Sequence, residues 1–585
     1  MKRKLGWFGL GFAGAELAAA NLPPLVCVPA AAFLALLAFW NRRRDARTSL
    51  LGALCGLAWF ALFALIFVQP CRALAGQTVT CTAVVETDAE ASYSDSRLRG
   101  TLRLTEINGK PARLRVQCSS FPGESAGERF EASFALSSLP DNRYRLSRNS
   151  KGVYLQAEYL GSYRGLAASK APRFALFRLR QRWSAVLRRW LPKRLDGMEA
   201  AMLLADKSHL EDAVQQAFRT AGVSHLLAVS GLHLALLCGL LGFGRRWRFY
   251  KPLILLRGAA ALFYLLLTGA PVSVLRAGLV LAVALAGDFF LQPVDLLTST
   301  GFAAVLIGLQ NAYAPCDIGF QLSFCAVLGV QAAAALTEAE RRAAAQGRPA
   351  ALRLVCRLAE PVQTAALASL ATLPVLVAHG MSTSLVGIVC NVLVVWMLQP
   401  ALQMGILLLI FSAVPFLLPL VNLTGLALSL WLKAMLGIVE RCAALPFASV
   451  YLPQRYTLFV LAVLGALALY YWHGKGLRVY PIAALICTAA AVVMGIWMQR
   501  DVVEINLVGA SNNPCVVCVQ NGQAVVLFRG GESNLSAVER YLAGRSRQKP
   551  ALLVDLRARP TALDFTAAEV VTMQTQPGFD TRTVL

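Results

Sequence analysis

Charged residues are scarce in this chain. Asp, Glu, Lys and Arg make up 15% of its 585 residues, against roughly a quarter in soluble proteins. That scarcity excludes an ordinary soluble enzyme of this size. Histidine is scarcer still, with five in all: His209, His225, His233, His379 and His473. A hydrolytic centre that holds two metals needs imidazole and carboxylate ligands at fixed spacing, so the region after His473 cannot run that chemistry. No Walker motif is present to support a motor, and no duplicated half to support a standard transporter. Acids are outnumbered, 32 against 56 Lys and Arg, which leaves a net charge of +24. Membrane surfaces and nucleic acids both attract such a chain, so charge alone does not choose between them.

Cysteine is not scarce, but it is scattered. Most of the fourteen lie in apolar segments, where a thiol is an ordinary small hydrophobe. Cys515 and Cys518 form a lone C-x-x-C with no second pair and no nearby histidine. On a strand they point to opposite faces, which argues against shared metal ligation. No metal and no cofactor is expected. Cys81 and Cys118 are the two cysteines well inside a strand-rich region, on separate strands, and with that region on the oxidising outer side they are expected to form a disulfide.

Apolar residues are abundant, at 57%. They fall in repeated stretches near 20 residues long with short polar breaks. That pattern predicts a polytopic α-helical membrane protein of about 13 spans. Residues 1–70 read as N-terminal spans, the first two turning at Asn21-Leu-Pro-Pro and a third over 49–68. Lys2, Arg3 and Lys4 precede an apolar run with no small-residue cleavage site, which reads as a retained signal anchor. Residues 71–165 alternate like strands, with turns at Asn108-Gly109 and Phe121-Pro-Gly. Five short strands suit a small barrel, OB-like as the first choice and any other small β domain as the alternative. Residues 166–198 form a basic linker helix in which Arg182, Arg188 and Arg189 are interleaved with Phe174, Phe177, Trp183 and Trp190. It reads either as an interfacial amphipathic helix on lipid headgroups or as a phosphate-attracting collar. Residues 199–498 read as a helical bundle and 499–585 as a small α/β unit. Basic loops at 42–47, 245–251, 338–353 and 473–478 all fall in the cytoplasm when the N-terminus is cytoplasmic. The β region and the C-terminal unit then share the outer side.

The stretch 221–237 is apolar, of membrane-helix character, and carries Ser224, His225, Ser230 and His233. Polar groups at membrane depth are costly and by default face a bundle interior or a watery path. The two histidines, eight apart, would lie about 80° apart around a continuous helix, too far for a tight metal pair. Arg276 sits in another apolar run and needs a carboxylate, several carbonyls or a phosphate. Asp288, Asp295 and Asp317 are the candidate partners for an ion pair. Gln321 and Ser323 read as interhelical hydrogen-bonding groups or channel lining. In the β region Arg113, Arg115, Arg143 and Arg145 are candidate contacts for a nucleic-acid backbone, against the plainer reading of solvated charge.

The run Ala221-Gly-Val-Ser-His-Leu-Leu-Ala-Val-Ser-Gly-Leu-His233 closely resembles the signature of the ComEC-type DNA-uptake proteins of bacterial competence. Glu199-Ala-Ala-Met-Leu-Leu-Ala-Asp-Lys-Ser208 is similar to that family's upstream element, with Ala205 and Lys207 in place of the usual Gly and Arg. Leu267-Thr-Gly…Arg276-Ala277, Gly319-Phe-Gln-Leu-Ser323 and Asn391 look like later family elements. The resemblance implies a channel for single-stranded DNA across the cytoplasmic membrane. Its implied partners are lipid, single-stranded DNA, a surface DNA receptor, a cytoplasmic DNA translocase and a separate nuclease. Relatives carry a metallo-β-lactamase-like C-terminal domain; here Asn506-Leu-Val-Gly-Ala-Ser replaces its entry strand and the histidines are missing. The tail therefore reads as a truncated, metal-free remnant and the chain as no enzyme. Two alternatives stand beside the channel: a small-molecule or ion transporter using the intramembrane His and Arg, and a degenerate relative that transports nothing.

Overall fold

The computed structural model describes residues 4–23, 29, 44–86, 90–91, 98–118, 121, 126–140, 145–169, 171–240, 250–345, 350–445, 448–450, 502–509, 513–520, 523–544, 550–557 and 569–571. Among them, six helices are long and apolar enough to cross a membrane: Asp45–Arg72, Val272–Phe289, Ile318–Glu338, Glu360–Ala378, Gly387–Ser412 and Pro415–Ala443. The sequence count of about 13 spans also draws on residues 24–43 and 451–500, most of which lie outside the described set. So do the basic loop 473–478 and most of 245–251. The span read as 49–68 runs on to Arg72, passing through a π-helical turn at Ala64–Val68. Pro70 supplies the reason. Its missing N–H removes one rung of the α-helical ladder, and a wider turn absorbs the gap.

Small residues let the helices close on one another. A Cβ added at Gly9 would collide with the backbone of Gly301, and one at Gly52 with the backbone of Phe8. Close backbone approach is how helices pack where no hydrophobic driving force separates them from lipid. The main bundle core gathers Met198, Leu204, Phe218, Leu234, Val394, Leu402, Leu432 and their neighbours.

Six strands build the β region: β1 (Thr78–Val85), β2 (Glu90–Ala91), β3 (Leu98–Ile107), β4 (Lys110–Cys118), β5 (Arg129–Ser138) and β6 (Val153–Leu166). β3 and β4 meet at Asn108 and Gly109, with φ of 49° and 78°. Two positive φ values in a two-residue turn suit the right-handed strand twist, which is why Asn-Gly marks a hairpin. The ladder runs β1-β5-β6-β4-β3, and β3 pairs again with β1. β4 and β6 are parallel; the other pairings among these five strands are antiparallel. Alternate residues point inward, so Leu102, Leu104, Val116, Phe130, Phe134 and Leu155 are fully buried. Each contributes about 1.5–3 kcal/mol. Asn311, beyond the bundle helix Leu296–Gln310, ties this region down by donating from Nδ2 to the carbonyls of Asn149 (3.0 Å) and Ser150 (2.8 Å).

The strand register overturns the expected disulfide. β1 and β4 do not pair with each other. Cys81 lies opposite Ile107 and Cys118 opposite Gly100 on the shared neighbour β3, roughly 20 Å apart along that strand. A bridge needs Cα atoms within about 7 Å. Burial also pushes the Cys81 thiol up to about 12, which keeps it protonated and unreactive. A non-reducing digest is expected to yield no Cys81–Cys118 cross-linked peptide; finding one contradicts the register.

The C-terminal unit is a five-stranded sheet in the order β11 (Glu569–Val571), β10 (Leu552–Asp555), β9 (Gln523–Phe528), β8 (Cys515–Gln520), β7 (Glu504–Val508). Helix Glu532–Gly544 covers one face through Leu535, Val538 and Leu542. Cys515 is buried on that side and Cys518 points the other way.

Candidate functional site

The signature stretch is not one continuous helix. Helix Asp212–Thr220 stops at Ala221 and Gly222, where φ is +75°. A single 3-10 turn, Ser224–Leu226, follows; the chain then runs without helix to Ser230, and a new helix spans Gly231–Leu240. The angle expected around an unbroken helix therefore does not apply to His225 and His233. A broken helix at membrane depth leaves backbone N–H groups pointing into the bundle, and such irregular backbone is tolerated where it lines a cavity.

Gly222 makes the break. A Cβ there would lie 2.6 Å from Ser384 Cβ and 2.9 Å from Gly387 Cα, and an L-residue at positive φ costs about 1–2 kcal/mol more. Gly222→Ala is expected to lower the thermal unfolding midpoint of the detergent-solubilised chain by several degrees. Gly14→Ala, in a helix with nothing within 4 Å of the new Cβ, is the control and leaves it unchanged or raised. Equal midpoints for the two variants contradict the role of Gly222.

Ser230 and His233 cap the new helix together. The Ser230 backbone N–H donates to His233 Nδ1 at 3.2 Å, and Ser230 Oγ lies 3.0 Å from the same nitrogen. This is the return half of a capping box, with histidine in the place of glutamate. Nδ1 accepts, so the ring proton sits on Nε2. The ring is buried in the bundle. Ser273 Oγ donates to the Val229 carbonyl (3.3 Å), tying the break to helix Val272–Phe289.

Arg276 projects from that same helix. It is 8% exposed, and its Nη2 lies 3.5 Å from the point where Gly231 would carry a Cβ. Gly231 thus admits the guanidinium beside the first turn of the new helix. Arg276 Cζ lies 5.6 Å from the ring centroid of Phe324. Among the described residues no carboxylate pairs with Arg276, and its buried Nε has no hydrogen-bond partner. The expected ion pair is therefore corrected. Asp295 instead caps helix Leu296–Gln310 through the Thr298 N–H (3.0 Å). Asp317 caps helix Ile318–Ala345 through the Phe320 N–H (2.9 Å). A guanidinium and a helix N-terminus stand side by side here, and each attracts negative charge.

The other sequence candidates divide. Ser224 and His225 are exposed at the break. Gln321 is committed elsewhere: its Nε2 donates to the Pro315 carbonyl (2.9 Å) and its Oε1 lies 2.9 Å from His379 Nε2. It is an interhelical strut. Ser323 is half-buried on the same helix. Arg113 is exposed and Arg145 half-buried, while Arg143 lies outside the described residues. Arg115 pairs with Glu86 (2.9 Å) and donates to the Lys151 carbonyl (3.1 Å).

The basic helix Pro172–Trp190 packs its aromatic face on protein. Phe174 packs with Val84 and Ala126 of the β region. Leu187 is buried in the bundle core, and the Trp183 ring meets Phe263 at 6.3 Å. Arg182 and Arg189 stay exposed; Arg188, also exposed, meets the ring of His209.

Sequence reasoning missed Glu16 and Glu199. Both are fully buried, with neither carboxyl oxygen hydrogen-bonded. Glu16 lies over Gly308 and Glu199 over Gly405, where a Cβ would strike the carboxyl group. A lone acid within an apolar stretch was the available signal.

The competence protein family model matches residues 202–476, the stretch that holds this site. ComE operon protein 3 of Bacillus subtilis (strain 168) is 32% identical over 234 residues, 38% of this chain and 28% of that protein. Competence protein ComA of Neisseria gonorrhoeae is 29% identical over 301 residues, 49% of this chain and 40% of that protein. The matches thus span well under half the length of these relatives. No solved structure matches the chain. The family match and both relatives agree that residues 202–476 are similar to the competence proteins of the ComEC type.

Proposed function

We propose that this protein passes single-stranded DNA across the bacterial cytoplasmic membrane during natural transformation. The observation that carries this reading is Arg276, a buried cation with no carboxylate partner among the described residues, set beside the N-terminus of a broken helix. Hydrocarbon cannot solvate a phosphate chain, so a conduit needs fixed donors of this kind inside the bundle. The β region serves as a strand-gathering module of OB type. Its returning ladder, with β4 and β6 parallel, supports that assignment, since OB-folds are five-stranded barrels that bind oligonucleotides on one face. The N-terminus is cytoplasmic and both soluble regions lie outside, on the strength of the basic loops. A surface receptor delivers DNA, a cytoplasmic translocase draws it in, and a separate nuclease degrades the second strand. The C-terminal unit, which has no histidine, does not serve as a two-metal nuclease.

A second reading, ion or proton movement through the bundle, draws on Glu16 and Glu199, whose buried carboxyls have no hydrogen-bond partner among the described residues. Uptake of labelled DNA by cells with and without this gene separates the two. The conduit requires that nuclease-protected label disappear with the gene. Unchanged protected label rejects it.

A further inference from the structure

Resting on the DNA function proposed above, we infer that Glu86 is a positioning residue. It gathers Arg103, Arg115 and Arg173 into one phosphate-binding cluster, where a single strand passes from the β region to the basic helix. Glu86 follows β1, and its backbone N–H donates to the Thr101 carbonyl (3.0 Å). Its side chain is 11% exposed. Arg103 places Nε at 2.6 Å and Nη2 at 2.5 Å from Oε1. Arg115 places Nε at 2.9 Å from Oε2, and Arg173 places Nη1 at 3.2 Å from Oε1. Three cations on one carboxylate leave two positive charges uncancelled.

A structural ion pair needs one arginine. Here Arg103 and Arg115 are direct cross-strand partners in the β3–β4 ladder, a placement in which like charges repel. The third comes from a different element, the helix Pro172–Trp190, where its guanidinium also stacks on Phe174 at 4.4 Å. Burial draws the Arg173 guanidinium down from its ordinary value, with the Arg103 charge adding to the effect. Crowded cations of this kind gain from a further anion. The arginine side chains are 30% to 42% exposed, so their outer N–H groups face water. Thr101 and Gln117, also cross-strand partners, continue the same outward face. Guanidinium forks match phosphate oxygens, and several held in one place bind a phosphodiester without first losing side-chain entropy.

This assignment differs from simple charge attraction in the sign of one effect. Glu86→Gln makes the region more positive, so unorganised electrostatics would tighten DNA binding. A positioning role loosens it, because the three guanidiniums then splay. The test is fluorescence anisotropy of labelled oligodeoxythymidine with the full-length chain in detergent, across a salt series. Glu86→Gln is expected to weaken binding about fivefold, while Glu86→Asp, which keeps the charge, recovers part of the affinity. Arg103→Gln and Arg173→Gln should each lower the slope of log affinity against log salt by about 0.7, and their joint effect should be less than additive. Binding by Glu86→Gln equal to or tighter than wild type overturns the inference, as do additive arginine effects. Wild-type chain that fails to bind the oligonucleotide overturns the DNA role of the β region itself, a separate result.

Discussion

Arg276→Leu is expected to leave DNA capture at the cell surface within about twofold of wild type, and to cut arrival of label in the cytoplasm by about 100-fold or more, the scale of removing a fixed charge from a narrow path. The protein should insert and persist at normal levels. Removing one partner of a buried ion pair usually destabilises by several kcal/mol, but Arg276 has no such partner among the described residues. Its leucine replacement takes an uncompensated charge out of the bundle, so stability should hold or rise. A stable yet inactive variant is the signature of a residue kept for its ligand. A structural arginine would give the reverse, lower protein abundance with activity falling in proportion. His233→Leu should behave similarly in transport but be somewhat less stable, because the Ser230 N–H at the helix start would be left without its acceptor, an effect on the order of 1 kcal/mol.

Neutralising Arg182, Arg188 and Arg189 together to glutamine is expected to act at the other end of the process. Capture should fall, and its salt dependence should flatten by about 0.7 for each phosphate no longer neutralised. Arg182 and Arg189 are exposed, whereas Arg188 is held against His209, so the slope should change by the equivalent of about two phosphates, not three. The helix itself should stay docked, since Phe174, Trp183 and Leu187 hold it on the β region and the bundle. DNA that is captured should still arrive. Loss of arrival with normal capture would place these arginines inside the path instead of at its mouth. Binding that weakens while the salt slope stays unchanged would deny them any role in holding phosphate.

Local chemistry was legible in the sequence, and long-range pairing was not. Asn108-Gly109 announces its hairpin because few residues other than Asn and Gly tolerate two successive positive φ values. Apolar stretches announce membrane helices because the bilayer sets their length. Cys81 and Cys118 look like a pair in the sequence because nothing in it gives the register across β3; the ladder that separates them joins residues far apart in the chain. The break in the signature helix was hidden for another reason. Its apolar residues suit a continuous span, and only the close approach of Gly222 to Ser384 and Gly387 forces the turn. Asp295 and Asp317 sit where N-caps belong, three residues before the N–H each accepts, and that local signal outweighed a distant pairing with Arg276. Glu86 carried no sequence signal, since its three arginines come from β3, β4 and the basic helix.

Photo-cross-linking during uptake tests the conduit most directly. A photoreactive amino acid replaces Ser224, solvent-accessible at the helix break, and in a second strain Phe416, 81% exposed near the start of helix Pro415–Ala443. Both strains are first shown to take up DNA. A conduit through the broken helix requires labelled single strand to attach at position 224 and not at position 416. Continued uptake with no attachment at 224, or with equal attachment at both positions, contradicts it.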